Sequence, residues 1–292
     1  LIKKIYPGGF LMRSFIISAC LLVLTGCTGS AYQLPTVDDA ALQAMQEDMY
    51  ANRAPLKMHH RSKSQYEKML ASINNRLVEN AQPLCDHAGY VSCLFQTSYN
   101  GGDEANAYAS EEYKITVYRG LLQYLENDDE IAAVVAHEMG HHLAQHNKEK
   151  GENIATGAVV TGVLAAVLVG ASSANNPYYT SYNQQQDSAA VQDMMEFGAE
   201  MGSISYSKEQ EREADLLGAY LLARAGYDLD RAKNTLVVLS KLPGGTDRSR
   251  ASLTDTHPAS AERLVAWEKA IEEVRNNHSK LPYLKEDNAE SD

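Results

Sequence analysis

Basic residues are scarce in this chain. It carries 26 lysines and arginines against 38 aspartates and glutamates, which gives a formal net charge of −12 at pH 7. A surface of that sign repels phosphate backbones and anionic headgroups, so we expect no nucleic-acid partner and no electrostatic attachment to anionic lipid. The 292 residues, 44% of them hydrophobic, otherwise have an ordinary globular composition with room for one large domain or two small ones.

The first 26 residues contain no acidic side chain. From Met12, a short basic start is followed by an apolar stretch over residues 15–24 and then by LTGC, which ends at Cys27. This pattern predicts an export signal over residues 1–26, with residues 1–11 as an upstream extension. Its last four residues resemble the bacterial lipobox, which implies that Cys27 is lipidated. An ordinary cleaved signal or an uncleaved anchor is the alternative, although the apolar run is short for a bilayer span.

Cysteine is also rare, with four residues in the chain. Cys20 is lost with the predicted signal and Cys27 carries the predicted lipid, which leaves Cys85 and Cys93 as a pair in an oxidising compartment. Gly89 lies between them and permits a turn, so we predict a disulfide. Two free thiols are the alternative, and a metal site is disfavoured because nothing nearby completes a four-ligand set.

The remaining chain divides by composition and periodicity. Residues 27–62 are predicted to form a lipid-anchored linker with an N-terminal helix, residues 63–275 the main domain, and residues 276–292 an acidic disordered tail. Strand composition is confined to about residues 90–118, and the rest of the main domain has helical periodicity. The predicted fold class is therefore α+β and predominantly helical.

Four of the nine histidines lie within residues 134–146, VVAHEMGHHLAQH. On a helix, His137 and His141 are about 40° apart on one face, so both imidazoles can bind one ion. Glu138 is displaced from that face and can reach a water bound to the metal. This is the His-Glu-x-x-His arrangement of zinc peptidases, in which zinc lowers the pKa of its water and the glutamate is the general base.

The helix that carries this motif is predicted to be long and capped. Asp128 begins an acidic start, lysines close the stretch and Gly151 follows it. On such a helix His142 is one step round from His141, and His146 lies on roughly the opposite side from His137. We therefore interpret His142 and His146 as neighbours and not as ligands.

A catalytic zinc usually has three protein ligands, so one more is required. A second helix is predicted from Ser207, where Gln210 completes a capping box, to Gly226. It presents Glu211 and Asp215 one turn apart, the first placed to ligate and the second to accept a hydrogen bond from a ligating histidine. On spacing alone, the alternative is an exposed, charged helix face.

Three segments carry a family resemblance: HEMGH, SKEQEREAD and THPASAER. Over residues 65–275 the chain resembles the HtpX and CAAX-prenyl-endopeptidase family of gluzincins, specifically its soluble periplasmic lipoprotein branch. The resemblance implies a zincin-like metallopeptidase fold with a small β-sheet and an active-site helix, and one Zn²⁺ per chain. It implies Glu211 as the third zinc ligand and Asp215 behind a histidine. Glu213 is the rival, which helix geometry places on the other side.

The resemblance extends to the His-Pro element at His257-Pro258 and to the arginine at Arg263. It implies that His257 stabilises the oxyanion of the tetrahedral intermediate or caps the open zinc position, whereas a helix-start residue is the alternative. In related proteases the segment NAYA is an edge strand along which an extended peptide lies. The corresponding residues of this chain are Asn106, Ala107, Tyr108 and Ala109.

One long segment lacks charge altogether, at residues 154–186. A single membrane span there would place the two metal-site helices on opposite sides of the bilayer, and the acids that follow within residues 187–206 exclude a second span. We therefore predict a buried helix or a mobile flap, with a flexible loop over residues 172–186. A segment that dips into the membrane is the alternative.

Together these features predict a zinc endopeptidase that cleaves extended or misfolded envelope proteins. It is expected in the periplasm, lipid-anchored at Cys27, and Thr28 favours the outer membrane by resemblance to sorting rules. The expected role is outer-membrane protein quality control, with protein or peptide substrates and the outer-membrane assembly machinery as a candidate partner. The alternative is a latent or chaperone-like zinc lipoprotein that acts as an assembly scaffold, with His257 as a fourth ligand.

Overall fold

The structure is a computed structural model, and it describes most of the chain beyond the N-terminus. The described residues are 30–51, 54–90, 93–110, 113–173, 178, 180–203, 206–242 and 257–285. Contacts divide the chain into two units, Leu1–Ser30 and Ala31–Asp292, and the helices and strands described below all lie in the second. The predicted signal peptide, Cys27 and the end of the predicted acidic tail lie outside the described residues.

Two helices open the described chain. Helix α1 spans Asp39–Ala51, and helix α2 spans Lys63–His87 after a Ser62–Gln65 capping box. The α2 helix continues to His87 because its apolar stripe runs on through Leu84 and Cys85, both buried in the core. Burial of this stripe holds α2 against the rest of the domain.

A three-stranded sheet follows. Its strands are β1 (Gln96–Asn100), β2 (Ala107–Ser110) and β3 (Lys114–Tyr118), in the spatial order β1-β3-β2. The β1–β3 pair is parallel and the β2–β3 pair antiparallel. The structure joins Cys85 and Cys93 as a disulfide that links the end of α2 to the chain leading into β1. The sheet confirms the predicted location of the strands, although β1 begins later than the strand composition indicates.

After a short helix α3 (Arg119–Leu122), helix α4 (Asp128–Leu143) runs through the centre of the domain. Every residue of α4 from Glu130 onward is buried. Its N-cap is Asn127, whose side chain accepts a hydrogen bond from the Glu130 amide, and Asp128 and Asp129 lie in its first turn. The helix that carries the His-Glu-x-x-His motif is therefore fixed on all sides.

The predicted single helix through Lys150 is wrong. Helix α4 ends at Leu143, and Gln145 adopts a left-handed φ of 60° before helix α5 begins. Helix α5 (His146–Ser173) then packs against helix α6 (Ser181–Ser203) as a hairpin. The break changes the direction of the chain directly after the motif.

The uncharged segment lies in this hairpin. The buried-helix prediction is wrong in part, because a stripe on α5 that includes Val159, Val163 and Val167 is exposed, whereas Gly162 and Ala165 are buried. The loop predicted to end at residue 186 is also wrong at that end, since α6 begins at Ser181. Within the described part of the chain, no helix is sufficiently long and apolar to cross a membrane.

Four further helices complete the described domain: α7 (Lys208–Arg224), α8 (Leu229–Ala232), α9 (Asn234–Lys241) and α10 (Ala261–Asn276). The predicted Ser207–Gln210 capping box on α7 is confirmed. The last helix begins after a Ser260 N-cap, and the helical stretch after Asp228 is divided into α8 and α9.

Helices α4 and α7 pack side by side at the centre, with α2, α10 and the sheet around them. The resulting fold is predominantly helical α+β with a small sheet beside an active-site helix, which confirms the predicted zincin-like class.

Candidate metal centre

Three of the predicted ligands meet between the two central helices. His137 and His141 lie one turn apart on α4, and Glu211 projects from the first turn of α7. The Nε2 atom of His141 lies 3.1 Å from His137 Nε2 and 3.3 Å from Glu211 Oε1. All three side chains are buried. Because the first turn of α7 passes beside the motif, residues seventy positions apart share one pocket.

His257 joins this group from the segment before α10. Its Nδ1 atom lies 2.8 Å from Glu211 Oε1 and 3.2 Å from His137 Nε2. His137, His141, Glu211 and His257 can each offer a ligand atom to one metal ion, and these atoms all lie within 4.8 Å of one another. His257 is therefore the fourth candidate ligand of the group.

The spacing and the donor types fit zinc. Ligand atoms at zinc–nitrogen and zinc–oxygen distances in a tetrahedron lie about 3.3 Å apart, and the contacts within this group range from 2.8 Å to 3.5 Å. His137 Nδ1 lies 2.8 Å from Asp215 Oδ1, so that nitrogen carries the hydrogen and Nε2 directs a lone pair inward. Nitrogen lone pairs and a buried carboxylate that point at one another repel, and a cation bound between them removes that repulsion.

The carboxylate of Glu138 lies at the edge of the same group. It is 1% exposed, and among the described residues neither of its oxygens has a hydrogen-bond partner. Its nearest ionisable contact is His257, with Nε2 of the histidine 3.7 Å from Oε1. Because a buried unpaired carboxylate is costly, its presence here fits a group that serves a ligand of the metal centre.

Arg263 braces the carboxylates from α10. Its Nε and Nη2 atoms each donate to one oxygen of Asp215 at 2.8 Å, and its Nη1 atom lies 2.6 Å from Glu211 Oε2. The arginine is 3% exposed, so this bidentate pair is almost fully removed from water. Arg263 thereby fixes Asp215, and Asp215 fixes the imidazole of His137.

The electrostatics favour a charged Glu211 and a neutral His141. Burial raises the pKa of Glu211, but His257, Arg263 and His137 outweigh it and hold that pKa well below the usual range. Burial lowers the pKa of His141 well below its usual value, and the charge of His137 acts in the same direction. A carboxylate beside a neutral imidazole is the protonation state that a metal requires of its ligands.

His137 behaves differently from His141. Burial lowers its pKa, but Asp215 and Glu211 act against burial and raise the pKa above the usual value. A metal ion and a proton therefore compete for Nε2 of His137.

His146 and Glu213, which the sequence did not indicate as part of the site, lie directly behind His141. His146 Nδ1 lies 2.9 Å from the outer nitrogen, Nδ1, of His141, and His146 Nε2 lies 3.1 Å from Glu213 Oε2. The predicted position of His146 on the far side of an unbroken helix is therefore wrong, and neither glycine nor proline marks the break at Ala144 and Gln145. Glu213 is no part of the metal group, in agreement with the helix geometry.

An aromatic ring also packs against His141. The ring of Tyr206 stacks on His141 with centroids 3.9 Å apart, and its hydroxyl donates to Asn147 Oδ1. His142 points elsewhere, and its ring lies 5.7 Å from Phe95. Sequence periodicity indicates that His142 is no ligand, but it gives no information about Tyr206, which lies outside the predicted helices.

The predicted substrate strand lies at one edge of the sheet. Ala107, Tyr108 and Ala109 fall within β2, which in the described part of the chain pairs with β3 alone, and Asn106 precedes it. Strand β2 also contacts α4, the helix that carries the motif. The Tyr108 side chain is 41% exposed.

A buried group of three histidines and one glutamate on such a helical scaffold, with a second glutamate beside it, defines a metal-dependent hydrolase of the gluzincin type. Residues 64–271 match the model of peptidase family M48. The chain belongs to this family and is a zinc-dependent metalloendopeptidase.

Individual relatives agree with this assignment. Metalloprotease LoiP of Escherichia coli (strain K12) is 33% identical over 233 residues, which cover 79% of this chain and 77% of that protein. Metalloprotease YcaL of the same strain is 27% identical over 263 residues, covering 85% of this chain and 92% of YcaL. The beta-barrel assembly-enhancing protease of Yersinia pestis is 29% identical over 195 residues, which cover 66% of this chain but 36% of that protein.

Proposed function

We propose that this zinc endopeptidase cleaves extended or misfolded proteins of the cell envelope, with Glu138 as its general base. The observation that carries the mechanism is the Glu138 carboxylate, which is buried beside the metal group and has no described hydrogen-bond partner. A residue with a purely structural role would be paired in such a position.

The proposed roles follow the geometry. His137, His141 and Glu211 hold the metal, and Asp215 with Arg263 orients His137. Zinc, when bound, supplies a Lewis acid that acidifies water and polarises the scissile carbonyl. Glu138 accepts the proton of the attacking water and delivers it to the leaving amine, and no hydrogen bond from the described residues competes for its carboxylate.

His257 gives the site a closed form. Its Nδ1 atom, 3.2 Å from His137 Nε2, lies where a fourth ligand would be, so in this arrangement it blocks the position that a peptide carbonyl needs. In an open form of the site, the His257 imidazole would move out of the fourth ligand position and stabilise the oxyanion of the tetrahedral intermediate. This contact also supports the second candidate function, a latent or scaffolding zinc protein.

The edge of β2 is the proposed substrate site. An extended peptide adds there as a further strand, because main-chain groups on the outer side of an edge strand can pair with it. Contact between β2 and α4 supports this location, since it places the edge next to the motif helix. The exposed ring of Tyr108 would contact the side chains of the peptide.

The cellular setting is part of the proposal. The export signal over residues 1–26 and lipidation of Cys27 would tether the 63–275 domain to a membrane in the periplasm, and Thr28 favours the outer membrane. The name of the beta-barrel assembly-enhancing protease supports a role in outer-membrane quality control and contact with assembly machinery, as does the predicted lipoprotein branch. Protein substrates follow from peptidase activity itself.

The mechanism is tested with Glu138→Gln on an unfolded protein substrate. The variant should keep one zinc per chain and lose cleavage by at least about a hundredfold, the usual contribution of a general base. Glu152→Gln is the matched control, because Glu152 is an exposed glutamate on the adjoining helix α5. Cleavage at the wild-type rate by Glu138→Gln would exclude Glu138 as the base.

Latency is tested separately with His257→Ala. If the closed form limits activity, this variant should bind zinc and start cleaving the same substrate without the delay of the wild type, but it should then cleave more slowly than the opened wild type because it lacks the oxyanion donor. If the protein is a scaffold, both proteins should stay inert, and the endopeptidase proposal would fail for this substrate class.

A further inference from the structure

His141 has a support of its own on the side away from the metal group. Its Nδ1 atom contacts His146 Nδ1 at 2.9 Å, and His146 Nε2 contacts Glu213 Oε2 at 3.1 Å. The other oxygen of Glu213 accepts a hydrogen bond from the main-chain amide of Ala31 at 2.8 Å. We call His146, Glu213 and the Ala31 amide the support chain.

The break between α4 and α5 creates the first contact. In an unbroken helix, positions 141 and 146 point about 140° apart, too far for the rings to touch. The left-handed backbone conformation of Gln145 interrupts the helix, and helix α5 begins with His146 facing back toward α4. The imidazole of His146 is 1% exposed, so the break places a polar ring in the core at this point.

The hydrogens of the support chain can be assigned in one consistent order. Nε2 of His141 faces the metal group, so the neutral ring carries its hydrogen on Nδ1 and donates it to His146 Nδ1. His146 then carries its own hydrogen on Nε2 and donates it to Glu213. The Glu213 carboxylate accepts on both oxygens, from His146 and from Ala31.

The two histidines of the motif are therefore held in parallel ways. Behind His137 is the carboxylate of Asp215, and behind His141 is the carboxylate of Glu213, reached through His146. Both carboxylates project from α7, which also provides Glu211. Groups behind a metal-binding histidine fix its tautomer and ring orientation.

The far end of the support chain is anchored in the main chain. Ala31 O accepts from the Lys285 amide at 3.0 Å, and Gln33 N donates to Tyr283 O at 2.8 Å, which ties residues 31–33 to the end of the described domain. Tyr32, between them, is 2% exposed. The Ala31 amide is consequently a fixed donor to Glu213.

We infer that His146 and Glu213 are positioning residues for the metal site, which hold His141 in its ligating tautomer and are completed by the amide of Ala31. This inference rests on the proposed ligand set, in which Nε2 of His141 faces the metal. It assigns a function to two buried polar residues that the peptidase mechanism itself does not use.

The test is zinc affinity of the full chain, measured by competition with a chromogenic chelator, beside urea unfolding of the zinc-free protein. His146→Phe keeps a ring but cannot hydrogen-bond, and should weaken zinc binding about 10- to 100-fold. His146→Gln is the matched variant, because its amide can accept from His141 and donate to Glu213. It should bind zinc within about threefold of the wild type, the scale of one altered hydrogen bond.

A role in packing alone would produce a different pattern. His146→Phe and His146→Gln would then differ in unfolding midpoint but not in zinc affinity, and wild-type affinity in His146→Phe would overturn the inference. Glu211→Gln, measured in parallel, distinguishes a failure of the proposed ligand set from a failure of the support chain. If Glu211→Gln retains zinc, the proposed ligand set is wrong. If Glu211→Gln loses zinc but His146→Phe binds it normally, the ligand set stands and only the support chain is overturned.

A second pair of variants, at Ala31, tests the inference if His146→Phe does not fold. Ala31→Pro removes the amide hydrogen that Glu213 accepts, and Ala31→Gly retains it. The proline variant should bind zinc about two- to tenfold more weakly than the glycine variant, which corresponds to one hydrogen bond. Equal affinities would remove Ala31 from the support chain.

Discussion

Gly140 on α4 faces the main chain of Ala214 on α7 so closely that a Cβ atom would overlap the Ala214 carbonyl oxygen and lie 2.9 Å from its Cα. The two helices that carry the metal group touch through their backbones here. Because Gly140 lies within the motif and Ala214 adjoins Asp215, this contact sets how near Glu211 comes to the histidines. Only glycine permits that approach.

Gly140→Ala should therefore separate the helices. We expect a loss of about 1–3 kcal/mol in the free energy of unfolding, as for other overpacked cores, and weaker zinc binding. Urea unfolding and zinc titration measure both effects. Gly151→Ala is the control, because a Cβ there meets nothing within 4 Å and should stabilise α5 by about 0.5–1 kcal/mol. Equal stability of Gly140→Ala and the wild type would contradict the packing argument.

Glu211 is expected to be essential for metal retention. Glu211→Gln removes the charge that neutralises zinc and should leave far less than one zinc per chain after dialysis. Metal analysis of the dialysed protein provides the measurement. Glu209→Gln, an exposed glutamate in the same helical turn, should keep its zinc. Full occupancy in Glu211→Gln would exclude this residue as a ligand.

Arg263 should matter for folding as well as for the site. Arg263→Met leaves the buried carboxylates of Asp215 and Glu211 without their cation, and we expect a loss of about 3–5 kcal/mol in the zinc-free protein. Adding Asp215→Asn removes one of the unpaired charges and should recover part of that loss. A double-mutant cycle by urea unfolding decides, and an effect of Arg263→Met below about 1 kcal/mol would contradict the assigned pairing.

His142 should make the stability of the zinc-free protein depend on pH. Burial lowers the pKa of His142 to about 4, below its usual 6.5, so between these values the unfolded chain binds the proton more readily. The stabilisation of the neutral ring is complete above about pH 6.5 and is lost as pH falls toward 4, by about 3 kcal/mol. Unfolding of wild type and His142→Phe at several pH values measures this difference, and a gap that does not vary with pH would refute it.

The parts of the site that lie within single helices could be predicted from the sequence. Helical spacing places His137 and His141 on one face, and the Ser207–Gln210 cap fixes where α7 begins. The meeting of Glu211 with the histidines was given by family resemblance and not by spacing, since periodicity says nothing about which two helices pack together.

The parts that could not be predicted depend on backbone conformation and distant contacts. The left-handed Gln145 breaks the helix without a glycine or proline, and this break turns His146 from a remote residue into a neighbour of His141. The start of α10 also depends on a contact between distant residues. The Arg263 amide donates to the Ser260 hydroxyl as a local cap, and the Arg263 side chain donates to Asp215 on α7, so a cap and a tertiary contact together define that helix end.

One zinc ion is expected to lie between His137, His141 and Glu211. Anomalous diffraction at the zinc absorption edge, from crystals of the zinc-loaded protein, locates the metal directly. We expect one anomalous peak per chain, bounded by Nε2 of both histidines and by the Glu211 carboxylate. A peak at any other set of side chains, or zinc bound without Glu211, would contradict it.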